Sequence, residues 1–421
     1  MYTAKNRRLS LEDRVSMMEK DFMWIAGIED TFVTKTDRTS SRSMDEYELT
    51  QHYSNWEKDL EIIANTGFKY VRYGIPWYTV NPEKGRFDFS WTDRVFDFMG
   101  ERSLIPIVDF IHYGTPHWMD NGFLNSCFPD YMADYELEVL ERYRKSIDLF
   151  TPMNEPFITQ EFCGRLSVWP PYLSGDDGFV KLLISTAKGI MKSVSSIKRE
   201  LPDKYALHVE ASGIFFSAER ELQDEVKKMN EMRYLTYDLI QGKVDTKHCL
   251  FDYLCRNGVG REDLDWFMEN KITVDGFGVN YYPQLSVFKV SKEKGKVRTT
   301  PFYGGTDYLE KLILSYHERY GGPIFLTETS INGEPDHQIL WWRESLTLVE
   351  DLIDRGIDLR GYTWFPAIDL INWDYRYGSE PVEKYVETMG FVNLKMDPSR
   401  QFRRSTGELA AVMRNDLRGE E

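Results

Sequence analysis

The chain has 421 residues, of which 42% are hydrophobic and 14% aromatic, and its 52 basic and 68 acidic side chains give a formal net charge of −16. This acidic surplus argues against a nucleic acid or an anionic membrane as a partner, because both require a basic surface. The first residues lead into charged sequence and no window approaches 18 apolar residues, so we expect neither a secretion signal nor a transmembrane helix.

The cysteines indicate the redox state of the cellular compartment and whether a metal site is expected. Cys127, Cys163, Cys249 and Cys255 show neither metal-ligand spacing nor a disulfide-rich pattern. We therefore expect reduced thiols in a cytoplasmic protein that uses no metal and no cofactor. The sequence leaves the oligomeric state open, a homo-oligomer included.

Strand and helix patterns alternate along the chain. Polar residues 1–20 predict an arm outside the main body, and a long polar loop follows the first strand up to about residue 50. Strands are predicted at 22–28, 68–73, 104–110, 147–150, 205–210, 274–282, 323–326 and 359–365. Helical apolar spacing is found at 52–66, around 91–100, 131–145, 177–199, 337–355 and 405–415, and in several stretches between 217 and 269.

Eight strands in strict alternation with helices predict a single α/β domain, a (β/α)8 TIM barrel with long βα loops spanning residues 21–421. A doubly wound sheet with a second domain is disfavoured because the sequence contains no linker. Lysine-rich residues 283–305 are predicted to form an exposed excursion over the rim.

Two glutamates stand directly after short apolar runs. Glu155 lies in the sequence Asn154-Glu155-Pro156 behind the run 147–150, and Glu328 lies behind the run 323–326. Such runs are typical of buried parallel strands, so each glutamate is predicted at the carboxyl end of a barrel strand, where these enzymes keep their chemistry. Two carboxylates at one rim indicate a glycosidase acting on a small carbohydrate or glycoside.

Polar or aromatic residues also end most of the other predicted strands, and together they are expected to converge on the same rim. These residues are Glu29, Arg72, His112, Asn154, Tyr281 and Trp364.

From Trp24 to Gly390 the sequence resembles glycoside hydrolase family 1, the β-glucosidase family within the clan of retaining barrel glycosidases. The glutamate motifs and Tyr70-Val71-Arg72 belong to the clan as a whole. The motifs that resemble the family itself are Asn280-Tyr281-Tyr282 and the tryptophan-rich stretch from Trp364 to Trp373.

The resemblance implies a role for each residue of the reaction centre. Glu328 is expected to be the nucleophile and Glu155 the general acid and base. Arg72 and the hydroxyl of Tyr281 are expected to favour the charged form of Glu328. Asn154 is expected to donate its amide to the sugar 2-hydroxyl.

The resemblance also implies contacts to the sugar, but here the sequence departs from the family. His112 and the face of Trp364 are expected to bind the sugar ring. Glu29 stands where the family usually has Gln, and Asn372-Trp373 replaces its usual Glu-Trp pair one residue late. We therefore predict β-glycoside hydrolysis without naming the sugar, and expect its outer hydroxyls to contact Glu29, Asp369, Asn372, Trp373 and Arg376.

Two other readings remain at this point. A transglycosylase would use the same two glutamates with a sugar acceptor in place of water. A barrel without catalytic activity would only bind a carbohydrate or a protein, and it is disfavoured because both carboxylates and their supporting Arg72 and Tyr281 are present.

Overall fold

The computed structural model describes residues 22–36 and 41–419, in which eight parallel strands close into a barrel. The strands are β1 (Met23–Gly27), β2 (Tyr70–Gly74), β3 (Ile105–Asp109), β4 (Leu149–Thr151), β5 (Tyr205–Ala211), β6 (Gly276–Asn280), β7 (Ile324–Thr329) and β8 (Leu359–Trp364). Their order around the barrel follows the chain, and β1 closes the ring by pairing with both β2 and β8. The predicted (β/α)8 barrel is confirmed, whereas the predicted arm of residues 1–20 lies outside the described residues.

Side chains of each strand alternate between the barrel interior and the surrounding helices. The inward positions ahead of the strand ends form a buried apolar cluster that contains Ile25, Ile107, Leu207, Val209 and Phe325. This cluster fills the middle of the barrel as a packed core. Polar side chains on inward positions can therefore gather only beyond it, at the carboxyl ends of the strands.

The helices surround the barrel and bury one apolar stripe each. The longer ones are His52–Thr66, Ser90–Glu101, Phe128–Arg142, Gly175–Glu200, Gly305–Tyr320, Pro335–Asp354 and Glu408–Arg418, and the segment after β5 forms Gln223–Met232, Leu235–Ile240, Phe251–Arg256 and Arg261–Glu269. In the helix His52–Thr66, Trp56, Leu60 and Ile63 are buried on one face, which is the spacing that predicted it. Across the described ranges, none of the helices has the length and apolar character needed to cross a membrane.

Short elements outside the barrel decorate its rim. The predicted excursion forms an antiparallel hairpin of Val287–Glu293 and Lys296–Pro301, which pairs with Ile214–Phe216 after β5. Two further hairpins join Phe32–Val33 to Met44–Asp45 and Val392–Met396 to Phe402–Thr406. These loops enclose the carboxyl ends of the strands, where the predicted functional residues lie.

Candidate active site

A buried polar network occupies the carboxyl end of the barrel. It brings together residues that end five different strands or follow them directly, although they are up to 256 positions apart in the chain. The members that contact one another are Arg72, Asp109, His112, Tyr113, Asn154, Glu155, Asn280, Tyr282, Thr327 and Glu328.

Glu328 owes its inward orientation to an irregularity in β7. Leu326 pairs with Val279 of β6, but the next residue of β6, Asn280, pairs with Glu328, so β7 contains one extra residue, Thr327. Bulges of this kind turn a side chain that regular alternation would point the other way. Thr327 and Glu328 consequently both face the interior, where Thr327 donates its hydroxyl to Asn280 at 2.7 Å.

Arg72 is the centre of the network. Its Nη1 donates to Oε1 of Glu328 at 2.5 Å, and its Nη2 donates to Asp109 at 2.5 Å and to Oδ1 of Asn154 at 2.7 Å. Burial alone would lower the pKa of Arg72, but the carboxylates of Asp109 and Glu328 raise it above the ordinary value. The guanidinium is therefore a permanent cation that fixes Glu328 and Asn154 relative to each other.

Glu155 ends the loop after β4 in a left-handed backbone conformation, with φ +39°, and caps the short helix Pro156–Thr159. Its Oε1 accepts a hydrogen bond from Asn280 at 2.8 Å, and its Oε2 accepts a short one from the hydroxyl of Tyr113. Burial and then the charge of Glu328 raise the pKa of Glu155 to about 7. This side chain consequently holds or releases a proton near neutrality, as a general acid and base must.

Asn154 bonds to the protein through its Oδ1 and through one proton of its Nδ2. Its Oδ1 accepts from Arg72 and Asn280, and its Nδ2 lies 3.0 Å from Nε2 of His112 and 3.0 Å from the hydroxyl of Tyr113. The amide that is predicted to donate to the sugar 2-hydroxyl thus already donates to the hydroxyl of Tyr113. A sugar would have to replace His112 or Tyr113 as its partner.

A group of acids lies beside His112 at the end of β1. Nδ1 of His112 is 2.7 Å from Asp30 and 3.1 Å from Asp109, and its Nε2 is 4.0 Å from Glu29. Burial would lower the pKa of His112, but the charges of Asp30 and Asp109 raise it well above the ordinary value. Glu29 accepts hydrogen bonds from the backbone N–H and the hydroxyl of Thr31, and its Oε1 borders the same space as Nε2 of His112.

Three of these side chains, Asp30, Asp109 and His112, place ligand atoms within 4.8 Å of one another and so resemble a metal site. Arg72 already supplies a positive charge there, since its Nη2 lies 2.5 Å from Oδ2 of Asp109. Burial raises the pKa of Asp30 to about 7, which further reduces the need for a second cation. The group therefore fits a buried ion-pair network better than a metal site.

The sequence pattern gave no sign of a further acid, Glu46, which lies behind Glu29. It is fully buried, and its Oε2 accepts from the backbone N–H of Ile371 at 3.2 Å. Burial and the charge of Glu29 raise the pKa of Glu46 well above the ordinary value. Glu46 reaches this position from the loop after β1, so only the fold brings it near the loop after β8.

The prediction that Tyr281 contacts Glu328 is wrong. Its hydroxyl donates to the carbonyl of Gly305 at 2.7 Å, on the outside of the barrel, whereas Tyr282 donates to Oε2 of Glu328 at 2.7 Å. The reason is the alternation of β6, in which Asn280 faces inward, Tyr281 outward and Tyr282 inward again. Counting two residues on from Asn280 would have identified Tyr282.

The prediction that Trp364 faces the sugar is wrong for the same reason. Trp364 points outward from β8, packs 6.1 Å from the ring of Trp342 and donates its indole N–H to Met389. The next residue, Phe365, faces the network instead. Its ring stacks on His112 with centroids 6.2 Å apart, and the guanidinium of Arg72 lies 5.5 Å from its centroid.

Three of the residues predicted to bind outer hydroxyls have their polar atoms engaged elsewhere. Asp369 accepts from the backbone N–H groups of Gly390 and Leu394, and Asn372 donates to Glu387 at 2.6 Å. Arg376 is fully buried and donates to the carbonyls of Val33, Lys35 and Arg42, which ties the loop after β1 to the loop after β8. These three residues hold the loops together, and the structure does not bring them to the network.

Trp373 does reach the site. Its ring packs against Tyr113 at 5.4 Å, Trp169 at 5.1 Å and Phe162 at 5.8 Å. Because Tyr113 bonds to Glu155, this aromatic wall stands next to Glu155. Flat apolar faces of this kind suit the faces of sugar rings.

Comparisons of the sequence and of the structure with known proteins identify the same group of enzymes. The sequence model of glycosyl hydrolase family 1 matches residues 25–237. Relatives include a 6-phospho-beta-glucosidase of Clostridium longisporum, 24% identical over 411 residues (80% of this chain and 81% of the relative), and Beta-glucosidase A of Thermotoga maritima, 22% identical over 368 residues (80% and 82%). A solved structure of a β-glucosidase from Thermotoga maritima with glucoimidazole superposes with a TM-score of 0.83 at 18% identity, covering 95% of this chain and 98% of that chain, which supports the fold.

Proposed function

The chain belongs to glycosyl hydrolase family 1, a family of retaining β-glycosidases, and from this premise we propose that it hydrolyses an uncharged β-glycoside through Glu328 and Glu155. The observation that carries the proposal is the unequal environment of the two glutamates. Glu328 is held by Arg72 and Tyr282, which stabilise a carboxylate, while Glu155 has a pKa raised to about 7 and can keep a proton.

In the first step, a carboxylate oxygen of Glu328 attacks the anomeric carbon and forms a covalent ester with the sugar. The glycosidic C–O bond breaks, and Glu155 transfers its proton to the departing oxygen. In the second step, Glu155 takes a proton from water, whose oxygen attacks the anomeric carbon and releases Glu328. The configuration at that carbon is inverted twice and is therefore retained.

The neighbours of the glutamates support these steps. Arg72 and Tyr282 donate to the two oxygens of Glu328 and so fix the direction from which it attacks. Asn280 donates to Glu155 and accepts from Thr327, the residue before Glu328. Asn280 therefore fixes the position of the acid on one side and of the strand that carries the nucleophile on the other. Positioning of this kind is a large part of the rate enhancement of enzymes.

The choice of an uncharged sugar rests on the charge of the surroundings. The relatives are named for two activities, one on glycosides and one on 6-phosphoglycosides. Buried carboxyl groups outnumber buried cations around Glu328: Glu29, Asp30, Glu46 and Asp109 face Arg72 and His112. A phosphate brought into this region would find both cations already paired, Arg72 with Glu328 and Asp109, and His112 with Asp30.

Cations on the described parts of the neighbouring loops do not offset this surplus. Lys35 donates to the carbonyl of Met119, Arg42 to that of Glu380, and Arg376 is fully engaged with carbonyls. Glu29 and His112 remain as hydrogen-bonding partners for neutral hydroxyls, and Phe365 and Trp373 provide apolar faces. This combination suits a neutral hexose or pentose ring.

The location of the protein follows as a further proposal from its thiols. All four cysteines are free, although two of them, Cys127 and Cys249, are exposed. Exposed free thiols persist in reducing compartments. A cytoplasmic location is consistent with this chemistry.

A panel of aryl β-glycosides tests the function. It should contain neutral gluco-, galacto-, fuco- and mannosides together with a glucuronide and a 6-phosphoglucoside, and NMR should follow the first anomer released. We expect cleavage of at least one neutral member with the β-anomer appearing first. Cleavage of the 6-phosphoglucoside alone would refute the proposal that the substrate is an uncharged glycoside. Release of the α-anomer first would refute the retaining mechanism. Predominant transfer of the glycosyl group to an added sugar would favour a transglycosylase.

A further inference from the structure

The hydroxyl of Tyr113 contacts the side chains of both Asn154 and Glu155. It donates a short hydrogen bond to Oε2 of Glu155 and lies 3.0 Å from Nδ2 of Asn154, which donates to it. Both hydrogen-bonding capacities of the hydroxyl are therefore directed at the catalytic machinery. No sequence motif marks Tyr113, because it directly follows His112 in a loop without strand periodicity.

The backbone holds Tyr113 in an unusual conformation. Its φ is +74°, in the left-handed region that side chains other than glycine rarely adopt. The preceding carbonyl, that of His112, accepts from the N–H of Phe32 at 3.0 Å, and a Cβ on the following residue, Gly114, would lie 1.7 Å from the carbonyl oxygen of Phe32. The loop after β1 thus fixes this turn, and uncommon conformations of this kind cluster at functional sites.

The ring of Tyr113 is as tightly held as its backbone. It packs edge-on against His112 with centroids 4.4 Å apart, and lies 5.2 Å from Trp169 and 5.4 Å from Trp373. The side chain is only 2% exposed. The hydroxyl consequently has little freedom to leave Glu155.

We propose that Tyr113 is a positioning residue whose hydroxyl holds Oε2 of Glu155 in place and stabilises the carboxylate that forms when Glu155 gives up its proton. The proposal rests on the proposed function, in which Glu155 is the general acid and base. In the first step the hydrogen bond strengthens as negative charge develops on Glu155. In the second step it holds the same carboxylate while water is deprotonated.

The charges around Glu155 agree with this role. The titratable groups that face it from neighbouring elements are Glu328 on β7, Glu210 on β5, Tyr282 after β6, and His112 and Tyr113 after β3. Burial and Glu328 raise the pKa of Glu155, whereas the hydrogen bonds from Tyr113 and Asn280 lower it. Burial and the charge of Glu155 raise the pKa of Tyr113 well above the ordinary value, so its hydroxyl keeps its proton.

The test compares Tyr113→Phe with the parent enzyme on aryl β-glycosides that have good and poor leaving groups. Loss of the donor should raise the pKa of Glu155 and so move the alkaline limb of kcat/KM upward by about one pH unit. The free energy of a hydrogen bond to a charged group corresponds to a shift of about that size. The variant should also lose about tenfold for a phenyl leaving group and only about twofold for dinitrophenyl, which needs little acid assistance.

Two further proteins make the result interpretable. Tyr281→Phe is the matched control, because the hydroxyl of Tyr281 donates only to the carbonyl of Gly305, and its pH profile should equal that of the parent. Incorporation of 3-fluorotyrosine at position 113 keeps the shape of the side chain and strengthens the donor, so the alkaline limb should move downward. This second substitution tests the proposal even when Tyr113→Phe fails to fold.

The outcomes separate the two proposals. A parent enzyme that cleaves no β-glycoside overturns the proposed function. An active parent whose alkaline limb stays in place with fluorotyrosine at position 113, and with phenylalanine where that variant folds, overturns the role of Tyr113. Equal losses for phenyl and dinitrophenyl substrates would mark Tyr113 as a packing residue only.

Discussion

Replacement of Glu328 by glutamine should lower the pKa of Glu155. The charge of Glu328 is the second cause, after burial, that raises this pKa from 4.5 to about 7. Two unit charges held about 5.5 Å apart, the spacing of retaining enzymes, interact by about 3 kcal/mol at an effective dielectric constant of about 20, or about two pKa units. Glu328→Gln removes this repulsion and leaves the burial, so we expect a fall of about one to two units.

The direction of this pKa shift depends on which protonation state of Glu155 its neighbours stabilise. A neighbouring negative charge disfavours the carboxylate of Glu155, and its removal makes ionisation easier, which lowers the pKa. Carbon-13 NMR of protein labelled at its glutamate carboxyls, with Glu155→Gln to assign the resonance, would follow the titration directly. Asp130→Asn, which removes an exposed charge paired with Lys192, is the control and should leave the titration unchanged. An unchanged or higher pKa in Glu328→Gln would refute the coupling of the two glutamates.

The remaining predictions concern rate, its pH dependence and stability. Tyr282→Phe should lower kcat/KM about 30-fold, because it removes a hydrogen bond to a charged group worth about 2 kcal/mol, whereas Tyr281→Phe should stay within about twofold. For the parent enzyme, kcat/KM should fall as the pH rises through about 7, where Glu155 loses the proton it donates, and a flat profile from pH 6 to 9 would contradict this. Arg376→Met should lower the free energy of unfolding by about 3 kcal/mol, read from denaturant titration, because three backbone carbonyls lose their buried donor.

The barrel could be predicted because each strand and helix carries its own local pattern. The helix at 52–66 was placed to the residue, since Trp56, Leu60 and Ile63 repeat at helical spacing and Gly67 ends it in a left-handed conformation with φ +107°. The eight strands likewise appear where apolar runs were found. Alternation of the two patterns then leaves few topologies.

The orientation of individual side chains could be predicted less well. At the ends of β6 and β8 the sequence offers two neighbouring aromatic residues, and the choice between them depends on which face the strand presents at that point. The strand period selects Tyr282 and Phe365 over Tyr281 and Trp364, but only after an inward residue such as Asn280 is known. Glu328 breaks the same period through the extra residue in β7, which no composition rule reveals.

Contacts between loops that are distant in sequence could not be predicted from local sequence patterns. Arg376 is predicted to contact an outer hydroxyl of the sugar, yet it donates to carbonyls more than 330 positions earlier in the chain. Glu46 reaches the site from the loop after β1 by the same pairing of loops. Tyr113 carries no motif at all, and its significance lies in a hydrogen bond to Glu155 that depends on a left-handed turn.

The proposed mechanism requires that Glu328 form a covalent bond to the sugar. A 2-deoxy-2-fluoro glycosyl donor with a good leaving group, built on the neutral sugar that the enzyme cleaves best, slows breakdown of the glycosyl ester and allows it to accumulate. Mass spectrometry of proteolytic peptides should then find the added fluoroglycosyl mass on Glu328, and on no peptide of Glu328→Gln. Attachment to any other residue, by an enzyme that cleaves the parent glycoside, would contradict this mechanism.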